Sequence, residues 1–520
     1  MKSKYWLTGW FLSVSIALSG IAFLVYSIDP YMHYHKPNTE KYFYSLYNQR
    51  SQNNGITKHF DYDAIITGTS MTENFKTSEL DTLFGIKSIK VPYSGGSYKE
   101  INDNLIVAFK THPNLKMIVR GLDVYKFLDD KNLMRKDLGK YPTYLYDHNP
   151  FNDVFYLFNK DVLFTRSYEM IKNTKKKDFK PGITPFDTYS RWHDRFQFGV
   201  KTVLPKGVKI QKPKSLKHLT EQEKQTIYGN ITQNVTSLAD QHPNATFYYF
   251  FTPYSIAEWL NHKNAGTIAR QLEAEQYVIE LILQHPNIHL FSVDNRIDII
   301  TNLNHYKDAN HYGEWVNSFV LRAMRDEKYR LTKENYQEYL AQKEEFLTAF
   351  DYAALPKQED YECDDYAGAL LNHEITGAIP LDVWKNPGAI TSMAYATITT
   401  DDAGRPILIC ENKNNPTETA AKISFTGLKI KIDDMTGYRY LIFNGKRIRG
   451  DGVPVVTICK EDGTILAKFS PDKKKIDDKE HPYSLRIPPL QGPAILSFDA
   501  APVQGKRKDF AYQFSAPTLY

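Results

Sequence analysis

The first strong pattern along the chain is an unbroken apolar run. From Tyr5 to Ile28 there is no charged residue, and Trp, Leu, Phe, Val, Ile and Ala dominate. As a helix this run is about 36 Å long at about 1.5 Å per residue, enough for a hydrocarbon core of about 30 Å. Lys2 and Lys4 precede it and Asp29 is the first charge after it. Positive-inside logic therefore places the N-terminus in the cytoplasm and residues 29–520 outside. A cleaved signal peptide is the alternative, although the run exceeds a signal core of roughly 7–15 residues and no clean small-x-small site closes it. No second span is expected downstream.

Between residues 61 and 325 short apolar runs alternate with helix-like stretches. The runs are Ala64–Ile66, Ser88–Val91, Met117–Val119, Thr246–Phe251 and Ile288–Val293, and helical patterns cover Lys99–Lys110 and Ile256–Leu283. Near-continuous apolar strands alternating with helices predict a parallel sheet covered on both faces. The stretch 126–219 interrupts this rhythm as an insertion. Thr332–Leu355 predicts an amphipathic helix, and residues 326–359 a helical connector. From 360 to 520, strand-like pieces (Ala396–Thr399, Pro406–Cys410, Tyr438–Phe443, Pro454–Cys459, Ala494–Ser497) alternate with turn clusters at Asp402–Gly404, Asn444–Gly445 and Glu461–Gly463. That spacing predicts a β-sandwich. Residues 1–28 are then the cytoplasmic tip and anchor, and 29–60 a juxtamembrane linker.

Composition changes the picture in two places. Of 520 residues 42% are hydrophobic and 24% charged, with a net charge of +5, which argues against global disorder and carries no nucleic-acid signature. Within Lys160–Lys217, however, 15 Lys or Arg stand against 5 Asp or Glu. Such an excess suits an active-site rim, an anionic lipid or polymer, or merely a solvated loop. Tyrosine is abundant at 36 copies; most serve core and sheet packing, and a membrane interface or a sugar polymer would also favour them. The three cysteines, Cys363, Cys410 and Cys459, exclude a disulfide framework and fit buried thiols or at most one bridge.

Candidate chemistry falls at three strand ends. Ser70 lies just past the strand ending at Gly68, where open α/β sheets place their sites. Ser70 with Glu73 also reads as a capping box, S-x-x-E, in which the hydroxyl only satisfies a helix N–H. Gly95 and Gly96 follow the second strand and suit either a backbone oxyanion site or a plain turn. Asp308 and His311 follow the last strand, three apart, as an acid that orients a general base or as an ordinary helix start. His305 with Asp308 and His311 leaves a metal reading open, although no further cluster completes it.

In order, serine after strand one, glycines after strand two and D-x-x-H after the last strand resemble the SGNH (GDSL-like) hydrolase superfamily across residues 61–325. The resemblance implies a flavodoxin-like α/β three-layer sandwich and a Ser70–His311–Asp308 triad. Backbone N–H groups of Met71 and of Gly95 or Gly96 would receive the oxyanion, with no metal and no cofactor. The superfamily's asparagine block should follow strand three, but Arg120-Gly121-Leu122-Asp123-Val124-Tyr125 contains no asparagine. That gap, the anchor and the sequence Asp29-Pro-Tyr-Met-His-Tyr-His35 look more like the exported branch, similar to teichoic-acid D-alanylation and alginate O-acetylation proteins. The branch implies an extracytoplasmic O-acyltransferase, O-acetyl by the alginate resemblance, that modifies a polysaccharide. It also implies a membrane-bound O-acyltransferase partner and a carbohydrate-binding-module-like C-terminal domain. A carbohydrate esterase with the same triad, or a noncatalytic glycan-binding surface protein, are the alternatives.

Overall fold

The computed structural model describes residues 2–137, 139–147, 149–189, 192, 195–213, 215–358, 379–380, 390–400, 406–412, 427–433, 435, 440–450, 452–471, 478, 480–487, 490, 492–502 and 510–519. The chain divides into two compact units, Met1–Glu362 and Cys363–Tyr520.

The first unit begins with helix α1 (Lys2–Ile28), whose stretch Tyr5–Ile28 is long and apolar enough to cross a bilayer. Helix α2 (Gln49–His59) follows. The sheet is built from β1 (Ala64–Gly68), β2 (Ser88–Pro92), β3 (Met117–Leu122), β4 (Thr246–Phe251), β5 (Ile288–Ser292) and the short β6 (Arg330–Leu331). Its spatial order is β2-β1-β3-β4-β5-β6, parallel except for β6. The five parallel strands thus follow the flavodoxin-like order 2-1-3-4-5. Every residue of β1, β2 and β3 is buried, which explains their nearly unbroken apolar sequence.

Helix α3 (Thr77–Phe84) packs on α9 (Glu314–Arg325). A second contiguous layer joins α2 to α4 (Tyr98–Thr111), and through the π-helical turn Thr232–Thr236 to α6 (Glu221–Ile231), α8 (Ile268–Ile282) and α10 (Tyr336–Ala349). Right-handed crossovers that run in opposite directions from β1 place these two layers on opposite faces of the sheet. Between α4 and α6, the insertion contributes α5 (Val154–Leu157) and a π-helical turn, Asp161–Ser167.

Three expectations for this unit need correction. The helix expected over Ile256–Leu283 is two helices, α7 (Ile256–Ala265) and α8, because Gly266 closes α7 at φ +69°. A Cβ at Gly266 would sit 2.2 Å from the Ser215 carbonyl oxygen, so glycine is required there. Residues 29–60 are not a linker: Asp29, Tyr31 and Met32 are buried, and α2 buries Gln52 to Thr57. The connector 326–359 also belongs to the first unit, since α10 packs on α8 and its Lys343 bonds Glu275 and Asp294 in the interior.

The second unit consists of two antiparallel sheets. One orders β7 (Ile390–Ala394), β10 (Gly427–Ile432), β15 (Ala494–Pro502), β12 (Gly452–Cys459) and β13 (Ile465–Phe469). The other orders β8 (Ala396–Thr400), β9 (Pro406–Asn412), β16 (Phe510–Leu519), β11 (Tyr440–Gly450) and β14 (His481–Arg486), and Ile379–Pro380 also pairs with β16. Leu428, Ile430, Leu496 and Phe498 from the first sheet share one core with Leu408, Leu441, Phe443 and Phe514 from the second. The unit is therefore a β-sandwich. Asn444–Gly445, expected to be a turn, lies inside β11; a Cβ at Gly445 would lie 2.8 Å from the Tyr512 ring, so the glycine marks a close strand approach instead. Glu461–Gly463 is a turn, closed by Gly463 N–H to the Lys460 carbonyl. The expected turn at Asp402–Gly404 lies outside the described residues, as does Cys363, while Cys410 and Cys459 are free thiols.

Candidate functional site

Strand β1 ends at Gly68, at φ +146°, where a Cβ would lie 2.6 Å from Thr72 Cγ2. Glycine thus permits a sharp turn into a single 3-10 turn, Ser70–Thr72. Thr69, not Ser70, caps this turn: its Oγ1 accepts the Met71 N–H at 3.4 Å. The capping box is absent. The Ser70 hydroxyl faces His311 Nε2 at 2.9 Å. The Glu73 carboxylate is held elsewhere, accepting from Trp192 Nε1 at 2.9 Å, from Gln49 Nε2 at 2.6 Å and from the Ser94 hydroxyl.

His311 and Asp308 lie on the loop between β5 and α9. His311 Nδ1 is 2.8 and 2.9 Å from the two Asp308 carboxylate oxygens. Asp308 Oδ1 also accepts the backbone N–H groups of Asn310 at 3.0 Å and His311 at 2.9 Å, which fixes the turn. With Nδ1–H donating to Asp308, Nε2 is left to accept the Ser70 proton. Burial alone would raise the Asp308 pKa, but the bonds and charge from His311 outweigh it and hold this carboxyl well below its usual range. The Ala309 carbonyl accepts from Ser255 N–H and Oγ at 3.1 and 2.7 Å, tying the loop to the segment after β4.

The glycine turn divides its roles. Gly95 is at φ +63°, and the Gly96 N–H donates to the Tyr93 carbonyl at 2.7 Å. Gly96 is therefore withdrawn as an oxyanion donor, because its only backbone proton is committed to the turn. Among the described residues the Gly95 N–H has no such partner. His305 does not complete a metal set. Its ring is buried and its Nδ1 accepts from the Trp315 indole at 3.0 Å, and no group of three metal-ligating side chains occurs among the described residues.

Four side chains near this site escape sequence reasoning. Trp192, from the basic insertion, meets the His311 ring edge-on at 4.9 Å. Lys307 lies 4.5 Å from the Trp192 ring centre and 3.6 Å from Asp308 Oδ2. Lys90 is buried and donates to the carbonyls of Glu73, Phe75 and Tyr189, so one ammonium ties the segment after Ser70 to the insertion. Burial lowers its pKa to about 7. Asp123, where the asparagine block is expected, is buried at the end of β3, and its Oδ1 accepts from Tyr254 at 2.7 Å. Burial pushes this carboxyl above its ordinary value, against the opposing pull of the Thr69 and Tyr254 hydroxyls. Arg120 lies on the same strand and turns into the interior. It is buried between the Tyr98 and Tyr249 rings and donates to the Asn234 carbonyl at 2.6 Å.

No family model matches the chain, and no curated protein matches it. Solved structures similar to part of it are carbohydrate-binding modules. A point mutant of CBM29-2, a family 29 module, has 13% identity and a TM-score of 0.18, covering 26% of this chain and 83% of its own. A CBM4 structure has 12% identity and a TM-score of 0.17, covering 28% and 81%. A family 6 module from Clostridium cellulolyticum, in complex with xylose, has 9% identity and a TM-score of 0.19, covering 26% and 92%. At TM-scores below 0.5, neither the fold nor the ligand of these proteins is carried over to this chain.

Proposed function

We propose that the chain is a membrane-anchored, extracytoplasmic serine O-acyltransferase that modifies a polysaccharide. The observation that supports this reading is the Ser70–His311–Asp308 hydrogen-bond chain at the carboxyl ends of a parallel sheet. Ser70 Oγ attacks an acyl carbonyl as its proton passes to His311 Nε2, and the leaving group departs with that proton. The Gly95 N–H binds the oxyanion, joined by the Met71 N–H when it gives up its long 3.4 Å bond to Thr69 Oγ1. His311 then takes a proton from a sugar hydroxyl, the new ester forms, and Ser70 Oγ recovers its proton. Asp308 holds the imidazole and stabilises its charged form throughout.

The polysaccharide, the O-acetyl group and a membrane-bound O-acyltransferase that supplies acyl groups rest on the resemblance to the exported SGNH branch. The C-terminal sandwich serves glycan binding in this reading, and α1 is a single-pass anchor with its N-terminus in the cytoplasm. The test replaces the chromosomal copy with the Ser70→Ala variant and measures ester groups on surface and secreted polysaccharide. A fall supports transfer. A rise assigns the same triad to a carbohydrate esterase, and no change contradicts both.

A further inference from the structure

Helix α1 is not a free tether. Its last two turns present one face to the domain: Ile21 and Ala22 are half-buried, and Val25 and Ile28 are buried. Val25 joins Tyr31, Leu145, Tyr156 and Val162 in one apolar cluster, so α1 packs against α5 and the Asp161–Ser167 turn. The exit from the helix is locked. Asp29 is buried, accepts the Tyr156 hydroxyl at 2.7 Å, and accepts the N–H groups of His33 and Tyr34 at 2.9 and 2.7 Å. Gly55 of α2 lets the Tyr31–Met32 backbone approach so closely that a Cβ would lie 2.3 Å from both carbonyl oxygens.

The same insertion turns an aromatic face outward. Phe151 is 87% exposed, Phe155 and Phe164 are each 61% exposed, and Phe158 and Tyr168 are also exposed, while Tyr156 and Val162 on the opposite side pack toward α1. Lys175, Lys176, Lys177 and Lys180 follow, all exposed. Two helical turns measure about 10 Å. The aromatic face therefore lies beside the last ~10 Å of a helix about 36 Å long, the depth at which interfacial helices sit, roughly 5–10 Å into the headgroup boundary.

We propose that residues 151–168 form a monotopic element embedded in the outer leaflet of the bilayer that α1 crosses, with the lysines of 175–180 on anionic headgroups. Continuity with α1 and charge complementarity favour lipid as the occupant. The rigid exit would then fix the domain against the membrane rather than let it swing. This inference rests on α1 being inserted, and it is independent of the chemistry at Ser70.

The test uses the full chain carrying Cys363→Ala, Cys410→Ala and Cys459→Ala, reconstituted in nanodiscs of phosphatidylcholine and phosphatidylglycerol at about 3:1. A bimane label is placed singly at Phe155→Cys, Phe164→Cys or Leu12→Cys, the last within α1. Shallow nitroxide-labelled lipid is expected to quench positions 155 and 164 at least two-fold, with iodide quenching them several-fold less than it does free bimane. Quenching of positions 155 and 164 by iodide alone, with Leu12→Cys quenched by lipid, overturns the inference and leaves that face to a protein partner. If lipid quenches none of the three, the anchor reading falls with it.

Discussion

Ser70 Oγ and His311 Nε2 stand 2.9 Å apart although 241 residues separate them in the chain. The sheet order explains part of this, since β1 lies where the strand order reverses and the His311 loop leads into α9, which returns to pack on α3. Side chains complete it. Asn317 Nδ2 of α9 donates to the Met71 carbonyl at 3.1 Å, Lys76 pairs with Glu314 at 3.4 Å, and Arg322 pairs with Glu79 at 3.1 Å.

Asn317 is thus the direct strut between α9, which follows the His311 loop, and the Ser70 turn. Replacing it by Leu removes that donor and shifts the turn. Because a misplacement of about 1 Å can cost about 100-fold, the rate at which a fluorophosphonate labels Ser70 should fall roughly 10- to 100-fold. A wild-type rate in the folded variant would mean that α9 does not position the serine.

If Ser70, His311 and Asp308 act as proposed, Asp308→Asn keeps the shape of the acid but stabilises the wrong imidazole tautomer, as a carboxamide does in a serine triad. The expected loss in labelling rate is about 10³–10⁴-fold. Because the Asp308 carboxyl is held well below its usual range, the wild-type rate should show no carboxylate titration above about pH 4. A wild-type rate in the variant would remove Asp308 from the site.

His305 predicts an acid sensitivity. Burial lowers its pKa from 6.5 to about 4, Asp298 opposing and Arg296 reinforcing the shift. The unfolded chain takes up that proton first, so the contribution of His305 to stability is complete above about pH 6.5 and is lost as the pH falls toward 4. Linkage puts the loss at about 3 kcal/mol by pH 4. Urea denaturation of His305→Gln at pH 7 and pH 4 should show that the stability difference between the two pH values shrinks by about this amount. An unchanged difference would show that the ring is not held neutral.

Lys343 holds the other buried charge cluster. It lies 2.7 Å from Glu275 and 2.6 Å from Asp294, all three nearly inaccessible to solvent. Burial raises the Asp294 pKa, Lys343 opposes that shift and Glu275 adds to it. Lys343→Met leaves two carboxylates without their cation and should cost about 3–5 kcal/mol, read as a lower urea midpoint. A smaller loss at pH 5 than at pH 8 is expected, because protonation then relieves the pair.

The strands are legible in the sequence because both faces of the sheet are covered. The apolar run Thr246–Phe251 coincides with β4, and Ser88–Val91 falls one residue short of β2, which ends at Pro92. Ser70, Asp308 and His311 can be named because each follows a readable strand. What cannot be read depends on distant contacts: Gly266 breaks a helix for the sake of Ser215, and Gly445 sits in a strand for the sake of Tyr512. Residues 29–60 look like a linker because their apolar positions have no period and their burial comes from α4 and α5. Trp192 lies in an insertion without periodicity, and its partners Glu73 and His311 are remote in sequence. The competition between cap and nucleophile at Ser70 turns on where Glu73 points, and only the fold decides that.

The proposed function requires Ser70 to be an activated nucleophile. The purified full chain treated with a fluorophosphonate probe should acquire one covalent phosphonyl group on Ser70, mapped by peptide mass spectrometry. Labelling should disappear in Ser70→Ala and drop sharply in His311→Ala, with both variants as stable as wild type within about 1 kcal/mol. Absence of labelling in the folded wild-type chain, or labelling that persists in Ser70→Ala, would contradict that role for Ser70.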